Sequence, residues 1–169
     1  MIHQPMLRRV GAVAIAALML GTAPAALFAE TPADTLVIAS AIDDIVSLDP
    51  HEAYEFSGLD LVNNTYDGLV ELDPVTGAMI PGLAESWSVA EDGTTFTFKM
   101  KPGISFSSGN PLTAADAAFS LQRAVKINKT PAFILTQFGF TKDNVKDKIR
   151  VVDPLTVVLL IDKPYAPTF

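Results

Sequence analysis

Cysteine is absent from this 169-residue chain, and histidine occurs only at His3 and His51. Without cysteine there is no disulfide framework, no lipid-bearing cysteine behind a leader and no thiolate chemistry, so folding falls to the core alone. With His51 the one histidine beyond residue 29, Ser-His-Asp and Cys-His nucleophilic arrangements and Cys/His zinc sites are not expected. Basic residues are also scarce: 12 Lys and Arg stand against 19 Asp and Glu, a formal net charge of −7. Phosphate binding needs clustered cations, so nucleic acid is a disfavoured partner. The patterns G-x-S-x-G, H-E-x-x-H, G-x-x-x-x-G-K and G-x-G-x-x-G are missing. Carboxylate pairs stay open, since any two of the acids can meet in space.

What is present begins with a leader-like segment. Arg8-Arg9 precedes the apolar run VGAVAIAALML (10–20), and the small residues GTAPAALFA follow. That order is a secretory signal peptide over 1–29, with cleavage after Ala25 or Ala29 and by either the Sec or the twin-arginine route. An uncleaved anchor is the rival, but the apolar core is short for a span of about 20 residues. Removal of 1–29 takes Arg8 and Arg9 and no acid, leaving 10 basic residues against 19 acidic ones.

Further along, Thr35–Ala39 reads as a buried strand and 55–66 as a helix packed through Phe56, Leu59, Val62 and Tyr66. Strands are expected at 68–72 and 78–80, at 86–90 and 94–101, and at 149–152 and 156–161. The loops between them carry Asp73-Pro74, Asp92-Gly93 and Asp153-Pro154. Phe96, Phe98 and Met100 alternate with polar residues, so one face of that strand is buried. Thr113 with Asp116 forms an aspartate version of a capping box, opening a helix with Ala114, Ala117, Ala118, Leu121 and Val125 on one face. Residues 132–140 are unusually apolar and aromatic for a connection. Trp87 reads as core. His51 reads as a locally hydrogen-bonded loop histidine rather than a metal ligand, and the acids Asp43, Asp44, Asp49, Glu52, Glu55 and Asp60 as a solvated loop.

The order LDPH (48–51), YDGLVELD (66–73), IPGLAESWSVAEDGTTFTFKMKPGISF (80–106), GNPLTAADAAFSLQRA (109–124) and VVDPLTVVLLIDKPYAP (151–167) resembles the family 5 extracellular solute-binding proteins. These are dipeptide- and oligopeptide-binding components of ABC importers. The resemblance implies an α+β fragment of a two-lobed α/β periplasmic binding protein type II fold with an extra small domain. On it, 30–50 would be the first strand and cleft loop of lobe I and 51–169 the small domain, incomplete at its end, with the second lobe missing. Asp43, Asp44 and Phe119 would approach the ligand. Ser108 departs from the family, which commonly has an acid there, and that weakens any transfer of substrate detail.

The implied function is capture of a peptide or similar small solute in the periplasm, free of a lipid anchor, and delivery to a membrane permease. The resemblance implies no cofactor, no catalysis and a monomer at full length. Nickel, haem, opine-like conjugates and oligosaccharides are the family's other ligands. A secreted structural or chaperone-like module, or a non-functional truncated fragment, is the alternative, and a secreted hydrolase is third.

Overall fold

The computed structural model describes residues 31–164, and the expected leader over 1–29 lies outside them. The chain divides into two units, residues 1–40 and 41–169. In the first, the described stretch holds one turn, with the Thr35 amide donating to the Pro32 carbonyl at 2.9 Å. The expected strand at Thr35–Ala39 does not form, because among the described residues no neighbouring strand pairs with it. A β-run without a ladder has unpaired backbone groups and no reason to stay pleated.

The second unit is mixed helix and sheet, as the sequence implies. Its elements in chain order are α1 (Phe56–Thr65), β1 (Val70–Leu72), β2 (Met79–Pro81), β3 (Ala84–Val89), β4 (Thr95–Met100), α2 (Ala114–Ile127), α3 (Phe133–Thr136), α4 (Val145–Lys148), β5 (Ile149–Asp153) and β6 (Thr156–Leu160). β1 and β2 make a small antiparallel ribbon. The other four form an antiparallel sheet ordered β3-β4-β6-β5. Two hairpins, β3–β4 and β5–β6, are thus joined by the long-range pairing of β4 with β6, in which Phe98 faces Val157 and Phe96 faces Leu159. The β3–β4 turn has Gly93 at φ +68, where a side chain would be strained, and the Asp92 carboxylate accepts the Thr94 amide at 2.9 Å.

One sheet face carries the core. Phe96, Phe98 and Met100 of β4 are buried with Val157, Ile149, Phe138, Phe140 and Val145. Helix α2 covers β5 and β6, burying Ala114, Ala118, Ala124 and Val125. Small side chains at these positions let the helix axis lie close to the sheet. Its start is fixed as the sequence predicts: the Thr113 amide and hydroxyl both donate to Asp116 Oδ2, at 2.8 and 2.9 Å. The Ala114 amide donates to Pro154 O, tying the helix to the β5–β6 turn. The helix ends at Asn128 in the left-handed region, φ 52, a common stop.

Helix α1 is less one-sided than its spacing predicts. Leu59 and Val62 are half-buried, but Tyr66 is exposed and Phe56 is 92% exposed. Spacing sets which residues share a stripe; it does not supply the neighbour that covers the stripe's ends. Among the described residues, no helix is long and apolar enough to cross a membrane.

Candidate functional site

Asp43 and Asp44 sit on an exposed turn, and Phe119 stands 66% exposed on α2. Asp44 is engaged: its Oδ2 accepts the Ser57 amide at 3.3 Å, satisfying a donor in the first turn of α1. Ser57 Oγ donates in turn to Ala41 O, also at 3.3 Å. The Glu55 carboxylate accepts the Val46 amide at 2.8 Å and the Tyr54 amide at 2.9 Å. The acidic stretch is therefore not merely a solvated loop, since its carboxylates close backbone turns. These turns hold residues 41–57 as one piece without an apolar core of their own.

That piece is fastened to α2 by a clasp. Arg123 meets the Asp49 carboxylate with both terminal nitrogens, Nη1 to Oδ1 at 2.9 Å and Nη2 to Oδ2 at 2.6 Å. The same Nη1 lies 2.6 Å from His51 Nδ1, and His51 Nε2 lies 3.0 Å from Ser120 Oγ. The His51 ring thus hydrogen-bonds across the fold, while its amide bonds locally as expected. Asp49 Oδ1 also accepts the His51 amide at 2.9 Å, which orients the carboxylate. Beside the clasp, Lys129 Nζ lies 3.9 Å from Glu52. Phe119 adjoins Ser120, so the clasp is the link between the turn of Asp43 and Asp44 and the helix bearing Phe119.

Ser120, His51 and Asp49 have the residue types of a hydrolytic triad, but the hydrogen bonding defeats that chemistry. A guanidinium only donates, so Nδ1 of His51 must accept, and the ring proton resides on Nε2. Nε2 then donates to Ser120 Oγ and has no lone pair with which to take the serine's proton. Asp49 Oδ1 is 3.8 Å from Nδ1, too far for the orienting hydrogen bond of a triad. Burial and the Arg123 cation both hold the histidine pKa below its ordinary 6.5. The arrangement positions backbone and does not activate a nucleophile.

The sequence reading missed Ser120 and Arg123. Their signal was faint: two polar side chains three apart on α2 share a strip of its surface. A shallow depression near β1, lined by Asp67, Glu71 and Lys101 among others, contains none of the expected site residues.

The clasp has a pH signature. The Asp49 pKa is lowered to about 2, chiefly by its hydrogen bonds from Arg123. That of Glu55 is lowered to about 2 by the Tyr54 and Val46 amides. Both groups bind protons more weakly folded than unfolded. Their contribution is complete above their ordinary values of 3.8 and 4.5 and is lost as pH falls towards about 2. Asp49→Asn should lower the urea midpoint at neutral pH and flatten its decline in acid. Superimposable pH profiles for variant and wild type would show that the clasp adds nothing to stability.

Residues 78–169 match the family described as bacterial extracellular solute-binding proteins, family 5 Middle. The glutathione-binding protein GsiB of Escherichia coli K12 is 30% identical over 161 residues, covering 95% of this chain and 30% of the relative. The oligopeptide-binding protein OppA of Haemophilus influenzae, solved with the peptide RPPGFSPFR, superposes with a TM-score of 0.64 at 27% identity. That match covers 71% of this chain and 25% of the other. The murein tripeptide binding protein MppA of Escherichia coli gives 0.59 at 26% identity, over 71% of this chain and 25% of its own. The chain therefore spans about a third or less of the length of the relatives it matches. With the profile match covering more than half of its residues, this chain belongs to the bacterial extracellular solute-binding proteins of family 5.

Proposed function

We propose that the protein containing this chain is the periplasmic binding component of an ABC importer, capturing a short peptide or similar small solute and delivering it to a membrane permease. The observation that carries this reading is the shared ligand class of the three relatives, whose names give glutathione, an oligopeptide and a murein tripeptide. Residues 30–50 would belong to one lobe, with the turn of Asp43 and Asp44 as its cleft loop, and 51–169 to the small domain. Binding of this kind asks for rigid supports and well-placed loops, not reactive groups. The stapled 41–57 segment is such a support. Asp43 and Asp44, exposed on it, and Phe119, exposed on α2, are the ligand-facing candidates, with Asp44 Oδ2 also bonding the Ser57 amide.

The histidine tautomer favours binding over hydrolysis. The leader would carry the protein across the inner membrane and be removed, leaving it free in the periplasm.

Calorimetric titration tests the reading, using the product of the complete reading frame that contains residues 1–169. Glutathione and trialanine are the probes. Saturable binding of either, with a matching rise in melting temperature, is the expected result. A folded protein giving neither heat nor thermal shift with both would rule out a peptide receptor.

A further inference from the structure

Among the described residues, His51 is the only histidine, and it fills the joint between the 41–57 segment and α2. Its two ring nitrogens are committed in opposite senses. Nδ1 accepts from Arg123 at 2.6 Å, and Nε2 donates to Ser120 at 3.0 Å. This pairing exists only for the neutral ring. A second proton must go to Nδ1, where an N–H of Arg123 already points. Two donors would then face each other, and the arginine would have to leave the histidine.

We propose that His51 is a proton-operated latch, which when neutral holds residues 41–57 against α2 and when charged releases them. The latch concerns the chain's own conformation and stands apart from the ligand.

Charged groups of both signs surround the ring. Arg123 opposes protonation by proximity, and Asp49, with Oδ1 3.8 Å from Nδ1, favours it. Glu52 and Tyr66 act on Arg123, reinforcing its charged form, and Lys129 pairs with Glu52. Ser120 is neutral. Asp49 is already saturated by both arms of Arg123 and by the His51 amide. It can reward a charged histidine only by giving up part of that bidentate contact. Either way, protonation dismantles the clasp. Burial adds to the opposition, so the ring in the closed clasp is neutral at neutral pH and takes up its proton only below the ordinary 6.5. No other side chain has an ordinary pKa between mild acid and neutral pH.

The amides of His51, Glu52 and Ala53 report on the latch, because all three donate to Asp49, the residue that Arg123 grips, and Val46 reports on the turn beside it. Hydrogen exchange on the full chain at about pH 7.5 and about pH 5.5, corrected for chemical exchange, should show their protection falling about tenfold in acid. Protection of β4 should not change. His51→Gln keeps an acceptor for Arg123 and a donor for Ser120 but cannot ionise, and should hold its protection at both pH values. Unchanged wild-type protection, or the same loss in His51→Gln, would overturn the latch. If that variant does not fold, the wild-type proton NMR titration decides. The His51 Cε1 proton should titrate below 6.5 and in step with the exchange. A midpoint at or above that value would equally overturn it.

Discussion

Phe140→Ala should destabilise the second unit by about 3–5 kcal/mol, the usual cost of emptying a buried phenylalanine site. Phe140 is 1% exposed and is the largest of the fully buried side chains. It ends the apolar stretch 132–140, which crosses from α2 to α4 and closes the core beyond the sheet. Its position is set by hydrogen bonds to the two residues before it. The Asp162 amide donates to Phe138 O at 3.1 Å, and Asn144 Nδ2 donates to Gly139 O at 3.0 Å. With this end of the segment held, it cannot readily collapse into the cavity that alanine would leave, which places the cost towards the upper end of the range. A domain has only about 5–15 kcal/mol to lose, so the variant should be marginal at room temperature. Trp87, the single tryptophan, packs against the same core and gives a fluorescence signal for urea unfolding. Phe133→Ala is the comparison: Phe133 is half exposed and touches Tyr54 edge-on with ring centroids 5.3 Å apart. Its loss should cost about 1 kcal/mol. Near-equal midpoints for the two variants would mean that the 132–140 stretch does not close the core.

The contrast between these phenylalanines shows what was legible beforehand. Local rules were: the alternation of Phe96, Phe98 and Met100 revealed a buried face, and Thr113 with Asp116 revealed a helix start. The Asp-Gly and Asp-Pro signals revealed turns. Each depends on residues a few positions apart. The sheet order was not legible, because pairing β4 with β6 joins segments some sixty residues apart in sequence, and no spacing encodes it. The clasp was hidden for the same reason: Asp49 and Arg123 are 74 residues apart and look like ordinary surface charges when read alone. Thr35–Ala39 shows the opposite error. Its composition suits a strand, but a strand is a property of a pair. Phe56 marks a similar limit, since a helical stripe names a face without naming what covers it.

Gly82→Ala should come next in severity, at about 2–4 kcal/mol from overpacking and lost backbone hydrogen bonds. An added Cβ would lie 2.4 Å from Gly68 O and 3.1 Å from Leu69 O. Both obstacles are backbone, so no side chain can swing aside. Those carbonyls are also acceptors, from the Leu83 amide at 2.8 Å and the Ala84 amide at 2.9 Å. The methyl group would therefore wedge apart the bonds that seat the β1–β2 ribbon on the start of β3. Gly77→Ala separates this from a general glycine effect. Gly77 has φ +69 but nothing within 4 Å of its added Cβ, so only backbone strain of about 1 kcal/mol is at stake. Hydrogen exchange at Leu83 and Ala84 should accelerate in Gly82→Ala and not in Gly77→Ala. If the two variants behave alike, the ribbon is seated loosely. A local, severe effect at Gly82 would instead explain part of IPGLAESW by packing. The stretch would then owe its glycine to a close approach of backbone rather than to a bound solute.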